Sequence, residues 1–194
     1  EINGGDGSDL MIGGAGDDIY IVDNFRDKVI EGSLKGTDLV RSSVSYRIRD
    51  NDVENLTLTG RRNINGAGNN SANIIKGNRG RNKLYGGKGA DTLVGGAGDD
   101  ILFGGYGNDR LIGGIGNDTL TGGTGNDIFQ INTGVGSDVI SDYTSGDDRI
   151  KLLGGIKEND LIINNLGSHT IIKDDEGDLL AIVQNTISED ITFI

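Results

Sequence analysis

The chain has 194 residues, 35 of them glycine, with no proline, no cysteine and a formal net charge of −12. Glycine at this level, against a usual share of roughly 7 %, excludes an ordinary helical domain, because each interior glycine costs a helix roughly 1 kcal/mol; without proline, collagen is excluded too. The missing cysteine excludes disulfide staples and thiolate zinc sites, and an acidic surface disfavours nucleic acid as a partner.

No apolar run approaches the 18 or so residues of a membrane span, so no span is expected. Hydrophobic residues make up 34 % of the chain, enough for a narrow core rather than a disordered chain. The 30 acids divide into 24 aspartates and 6 glutamates. That bias suits turns and metal loops rather than helix surfaces.

In chain order, the sequence opens at Glu1 inside a repeat, with neither Met nor a basic, apolar leader, which reads as a piece of a larger protein. Residues 4–12 and 13–21 spell GGDGSDLMI and GGAGDDIYI. Continuing by nines, VDNFRDKVI at 22–30 has lost its glycines but keeps Asp27 at the sixth place and Val29 at the eighth. After a two-residue insertion, SLKGTDLVR at 33–41 places Gly36, Asp38 and Val40 at four, six and eight.

From Val22 to Lys76 the stretches DLVRSSVSYRI, VENLTLTG and NIIKG read as short strands between turns, with no 3.6-residue apolar stripe. GNNSANIIK and NRGRNK put Asn73 and Asn82 where aspartate belongs. An asparagine offers a carbonyl but no charge, so weak or empty metal positions are expected there. Between residues 41 and 88 there are ten Lys/Arg and three acids, a local +7, which leaves −19 for the rest of the chain. Arg61 and Arg79 are 18 residues apart.

The main array follows: GGKGADTLV, GGAGDDILF, GGYGNDRLI, GGIGNDTLT and GGTGNDIFQ, five consecutive nonapeptides from Gly86 to Gln130. Aspartate takes the sixth place in every copy, as Asp91, Asp100, Asp109, Asp118 and Asp127. The eighth place is always large and apolar. Turn formation alone demands no aspartate at a fixed place. Two offset copies, TGVGSDVIS and YTSGDDRIK, then supply Asp138 and Asp148. Beyond Ile150 glycine thins, and LIINN, HTIIK, LLAIV and ITFI are predicted strands of a β-rich cap over 150–194, with DDEGD at 174–178 a solvated hairpin turn.

The nonapeptides resemble the RTX family, the calcium-binding repeats of proteins exported by bacterial type I secretion, whose consensus is GGxGxDxUx. The resemblance implies an all-β fold: a right-handed parallel β-roll (β-solenoid) in which each copy is a loop followed by a short strand and two copies make one coil. It would span 1–149, with regular repeats at 4–21 and 86–130 and degenerate coils between. Loops on one edge would then be 18 residues apart, so Asp91 faces Asp109, Asp109 faces Asp127, and Asp100 faces Asp118.

The family pattern implies several Ca2+ ions, each bound between such loops by both carboxylates and by four backbone carbonyls. Those carbonyls are Gly87 and Gly89 with Gly104 and Tyr106; Gly96 and Gly98 with Gly113 and Ile115; and Gly105 and Gly107 with Gly122 and Thr124. In the same register Asp9 pairs with Asp27, Asp18 with Asp38, Asp118 with Asp138 and Asp127 with Asp148. An EF-hand rival, DNDVEN at 50–55, lacks the glycine and the closing glutamate that such a loop needs. The GxG strings have no helix pattern behind them and are poor dinucleotide signals.

No nucleophile–base grouping, HExxH or zinc-ligand cluster appears, so no catalytic residue is expected, and the single histidine, His169, reads as structural. The expected function is a non-enzymatic calcium-binding module of a secreted, extracellular or cell-surface protein that folds on binding calcium after export. The terminus SEDITFI resembles the ending of type I secretion substrates, which makes the secretion machinery a partner. The alternatives are a polysaccharide-binding module of a protease, lipase or alginate epimerase, whose basic segment would hold an anionic polysaccharide, and a structural segment of a surface layer or adhesin.

Overall fold

The structure, a computed structural model, describes residues 1–32, 36–132, 136–155 and 157–194, so the first three places of the copies read at 33–41 and 133–141 lie outside the described residues. Strands follow one another with loops between: β1 Ile2–Asn3, β2 Leu10–Ile12, β3 Ile19–Val22, β4 Lys28–Ile30, β5 Leu39–Ser42 and β6 Tyr46–Arg47. Next come β7 Asn55–Leu58, β8 Gly66–Ala67, β9 Ile74–Lys76, β10 Lys83–Lys88, β11 Thr92–Ala97 and β12 Ile101–Tyr106. Then β13 Arg110–Ile115, β14 Thr119–Thr124, β15 Ile128–Ile131, β16 Asp138–Ile140 and β17 Arg149–Leu152 lead to β18 Leu161–Leu166, β19 His169–Asp174 and β20 Leu179–Val183. Among the described residues there is no α-helix, only two 3-10 turns at Glu158–Asp160 and Ser188–Asp190.

The odd strands from β1 to β17 form one nine-stranded parallel sheet. The even strands β6 to β16 form the opposite face, continued by β20, β19 and β18, while β2 and β4 pair separately at the start. The chain therefore crosses from face to face at every loop, and two nonapeptides complete one coil of a parallel β-solenoid. The register shows the period: Leu84 lies beside Leu102 and Leu102 beside Leu120 on one face. On the other face Leu93 lies beside Leu111 and Leu111 beside Phe129.

Alternation along each xUx segment turns the eighth place inward, because successive side chains of a strand point to opposite sides. Leu84, Leu93, Leu102, Leu111, Leu120 and Phe129 are all fully buried and form a ladder of apolar side chains between the faces. Each contributes about 1.5–3 kcal/mol by leaving water. In the main array the core is one large side chain wide per face, while β3, β7 and β15 bury two apolar side chains each, and the array's loops are pressed against one another.

Glycine is forced where the coils touch. Gly105 has φ 118° and the carbonyl oxygen of Gly87 lies against its Cα, so any side chain would be strained by the backbone and would strike that oxygen. At Gly104 a Cβ would strike the carboxylate of Asp109.

At the C-terminal end, parallel pairing runs through β17, across residue 150. β20 adds to β16 in parallel, and β19 and β18 return antiparallel, extending the even face. The ITFI segment read as a strand forms only an isolated bridge between Phe193 and Ile150. The Ile150 N–H donates to the Thr192 carbonyl at 2.9 Å and the Ile194 N–H to the Ile150 carbonyl at 3.0 Å, so this short stretch covers the outer edge of β17. Among the described residues, no helix is long and apolar enough to cross a membrane.

Candidate metal centres

The loops stack into two columns, one on each edge of the solenoid. On one edge the Asp91 N–H donates to Asp109 Oδ1 at 2.8 Å, the Asp109 N–H to Asp127 Oδ1 at 2.8 Å, and the Asp127 N–H to Asp148 Oδ1 at 2.8 Å. On the other edge the Asp100 N–H donates to Asp118 Oδ1 at 2.7 Å and the Asp118 N–H to Asp138 Oδ1 at 3.1 Å. Each aspartate thus caps the backbone of its counterpart one coil earlier. That uses one carboxylate oxygen.

In the main array the other oxygen has no partner, whereas Asp148 Oδ2 accepts the Thr144 N–H at 2.7 Å. Oδ2 of Asp91, Asp100, Asp109, Asp118 and Asp127 is buried without a hydrogen bond, as is Oδ2 of Asp9. An uncompensated buried carboxylate oxygen costs several kcal/mol, so the arrangement calls for a proton or a cation. Burial accordingly pushes Asp91, Asp100 and Asp138 up to about 7, with a smaller push from the neighbouring carboxylate, and Asp127 up to about 6. Asp109, Asp118 and Asp148 are raised by the same cause.

Oxygens converge beside these orphans. The space next to Gly86 is bounded by Asp91 Oδ2 and the Gly104 carbonyl, and the space next to Gly95 by Asp100 Oδ2 and the Gly113 carbonyl. Next to Gly104 the same pair recurs as Asp109 Oδ2 and the Gly122 carbonyl. Carbonyls of Gly87, Gly96 and Gly105 face the second-place glycines of the following loops, and those of Gly89, Gly98 and Gly107 face the fourth-place glycines. The third-place carbonyls of Tyr106, Ile115 and Thr124 are already engaged, accepting the N–H groups of Gly89, Gly98 and Gly107 at 2.8 Å each. Hard oxygens with carboxylate charge and no nitrogen or sulfur donor are the donor set of calcium.

The degenerate interfaces differ. The Asp9 N–H donates to Asp27 Oδ1 at 3.1 Å, but Asp27 Oδ2 is taken by the N–H groups of Asp23 and Asn24 within its own loop. The Asp18 N–H donates to Asp38 Oδ1 at 2.8 Å, and there Glu31 enters as a third carboxylate within 4.8 Å of the other two. Glu31 accepts the Gly14 N–H at 3.1 Å and the Tyr20 hydroxyl, whose ionisation is pushed up by burial and by Glu31. Asp142 behaves likewise, accepting the Gly122 and Gly123 N–H groups at 2.8 Å each.

Glu31 and Asp142 were not read from the sequence as site residues. The signal was there: each is an acid standing where a loop has lost its leading glycine. Glu54 was missed too; it takes the sixth-place role by accepting the Asp38 N–H at 2.8 Å. At the fifth place, exposed residues make an outer ladder, with Asp17 capping Thr37, Asp99 capping Asn117, Asn108 capping Asn126 and Asn117 capping Ser137.

The model of the RTX calcium-binding nonapeptide repeat matches residues 1–29, 67–102, 94–129 and 103–140. The chain belongs to the RTX calcium-binding repeat family. Two endo-1,3-1,4-beta-glycanases of Rhizobium meliloti (strain 1021) are similar over 67 residues: EglC at 40 % identity and ExsH at 42 %. In each case the match covers 34 % of this chain and 14 % of the relative, so the similarity spans about a seventh of the glycanases' length.

Proposed function

We propose that this chain is a calcium-driven folding module of an exported protein, non-enzymatic in itself, which stabilises that protein outside the cell. The observation that carries the reading is the row of buried, partnerless aspartate oxygens on both edges of the roll. The proposed sites are Asp91 with Asp109, Asp100 with Asp118 and Asp109 with Asp127, each completed by the carbonyls of its two loops. Asp9 with Asp27, Asp18 with Asp38, Asp118 with Asp138 and Asp127 with Asp148 are further candidates. Calcium supplies the positive charge that lets these carboxylates be buried ionised.

The chain's own residues explain why export and folding can be separated. In a calcium-poor cytosol the aspartates of the array repel one another and a glycine-rich segment loses much entropy on ordering, so the array stays open. Outside, each site that binds only the folded form adds about 2.7 kcal/mol at a hundredfold excess of ion over Kd. The single histidine takes no part: His169 Nδ1 accepts the Asn185 N–H at 3.0 Å.

A calcium titration of the chelator-treated chain, followed by far-UV circular dichroism and calorimetry, tests this. Cooperative gain of β signal with several ions bound is expected; a chain already fully folded in chelator and indifferent to calcium would sink the reading. A second reading, a polysaccharide-binding surface, is favoured by the exposed Arg61, Arg79 and Arg81 in the basic segment and by the glycan-acting names of the relatives. Charge reversal at the three arginines abolishes retention on an anionic polysaccharide if that surface binds and leaves retention unchanged if it does not.

A further inference from the structure

Four buried asparagines, Asn69, Asn73, Asn78 and Asn82, stand in the two loops that precede the main array. In the array the second place is glycine, because the preceding loop's second-place carbonyl lies against it. In these two loops the second place is Asn69 or Asn78, and the side chain reaches back to the preceding coil. Asn69 Nδ2 donates to the Asp50 and Val53 carbonyls at 2.6 and 2.9 Å. Asn78 Nδ2 donates to the Thr59 and Arg62 carbonyls at 3.0 and 3.1 Å.

The sixth-place residues do the same. Asn73 Nδ2 donates to the Val53 and Glu54 carbonyls at 3.2 and 3.1 Å, and Asn82 Nδ2 to the Ile64 carbonyl at 2.6 Å. Their Oδ1 atoms are occupied as well, accepting the Asn69 and Asn78 N–H groups at 2.9 and 2.8 Å. A carboxamide carries donors and an acceptor in one group, whereas an ionised carboxylate only accepts. An amide can therefore bridge to the carbonyls of a neighbouring loop where a carboxylate would need a cation between.

Charge follows the same division. Among the described residues, no buried side-chain polar atom without a partner lies between Asp9 and Asp91. The segment from 41 to 88 carries a net +7, against −19 elsewhere. Its core is nonetheless continuous with the rest, with Val53, Leu56, Leu58, Ile75 and Leu84 all within 2 % of full burial.

We propose that the coils from about residue 50 to 85 are a calcium-independent nucleus, in which asparagine amides replace the ion as the link between loops. This nucleus sets the register on which the calcium-dependent coils are laid down. The family model's matches leave out residues 30–66, the first part of this segment, but take in the two asparagine loops within 67–102, so the division drawn here rests on the loop hydrogen bonds. The proposal rests on the calcium reading for the array but not for the nucleus itself.

The test is hydrogen exchange by mass spectrometry on the whole chain, in chelator and in calcium. In chelator, amides of β7 to β9 should be protected at least about tenfold more than those of β11 to β14, and calcium should then protect the array. Equal exchange across both regions in chelator, fast or slow, overturns the proposal. An array that ignores calcium while the centre stays protected overturns the calcium reading and supports the asparagine one.

Two variants pin the cause. Asn69→Ala with Asn78→Ala should remove the chelator-state protection of the centre. Asn73→Asp with Asn82→Asp keeps the shape but installs carboxylates, so protection should vanish in chelator and return with calcium. Unchanged protection of the centre in both variants would overturn the assignment. Asp109→Ala, as a control, leaves the centre's chelator-state protection as it was.

Discussion

The coils at 50–85 and those at 86–130 stack in one parallel solenoid over a continuous buried aliphatic ladder, yet their loops differ: the second-place Gly87, Gly96 and Gly105 have positive φ where Asn69 and Asn78 do not, and different chemistry joins them. In the array, Asp Oδ1 caps a backbone N–H and Oδ2 is left buried and unpaired. In the centre, Asn Oδ1 and Nδ2 are both satisfied, the second by carbonyls of the preceding coil. The substitution of one oxygen by an NH2 group separates a coil that needs a cation from one that does not. A shared core therefore sets the fold, while the loops decide under which conditions it forms.

The largest expected divergence between the two regions is with pH, because several carboxylates shift together. Asp91, Asp100 and Asp138 are raised to about 7 and Asp127 to about 6, chiefly by burial, against an unfolded value near 3.8. The folded, calcium-free array thus holds protons that the unfolded chain releases between about pH 4 and 7, so its stability is fully present below the unfolded value and is lost as pH rises through the folded one. Acidifying the chelated chain from pH 7.5 to 5 should restore β signal in the array and change the centre little. In calcium the sign reverses, since protons compete with the ion, and the calcium midpoint should move to higher concentration. An array whose chelated fold weakens on acidification would contradict this.

Next in size is Asp109→Asn, because Asp109 belongs to two neighbouring interfaces. Loss of two sites should cost the calcium-loaded chain about 5 kcal/mol at a hundredfold excess of ion, taking about 2.7 for each. Two fewer ions should appear in calorimetry, and the centre's behaviour in chelator should not change. A variant that binds calcium as the parent does would remove Asp109 from the ligand set.

A glycine comparison is sharper still, though smaller. Gly105→Ala combines a positive φ of 118° with a collision against the Gly87 carbonyl, and should cost about 3 kcal/mol in denaturant midpoint. Gly60→Ala, at φ 80° but with open space around the added carbon, should cost only about 1 kcal/mol. Equal costs would mean that the contact between successive loops is looser than the stacking indicates.

Much of this was legible in the sequence, because the period does the work. Aspartate at every sixth place and a large apolar residue at every eighth give the strand, its inward face and, through the family resemblance, the 18-residue coil that the Leu84, Leu102 and Leu120 register displays. What escaped were groups whose direction depends on neighbours. Asn73 and Asn82 read as weak ligands because the sequence does not tell whether a carboxamide presents its oxygen or its nitrogen to the preceding loop. Glu54 and Asp142 stand 16 and 20 residues from the groups they cap, where nine-residue counting loses phase, and Glu31 keeps phase but stands at a first place that has no glycine. ITFI reads as a strand by composition, but only Phe193 bridges, since a 3-10 turn at Ser188–Asp190 leaves little chain to pair.

The smallest effect tests the seam between the two regions. Arg81, from the last asparagine loop, meets Asp99 of the array at 3.0 Å, and both side chains are largely exposed, at 70 % and 45 %. Water screens such a pair, and long side chains lose rotamer freedom in holding it, so it contributes at most about 1 kcal/mol. Asp99 also caps the Asn117 N–H at 3.2 Å, so removing the acid and removing the base are different experiments. Arg81→Gln should shift the denaturant midpoint of the calcium-loaded chain by less than Asp99→Ala does, and added salt should erase the Arg81 effect but not all of the Asp99 one. A salt-resistant loss on Arg81→Gln would mean that the seam is held by the arginine's stem packing rather than by its charge.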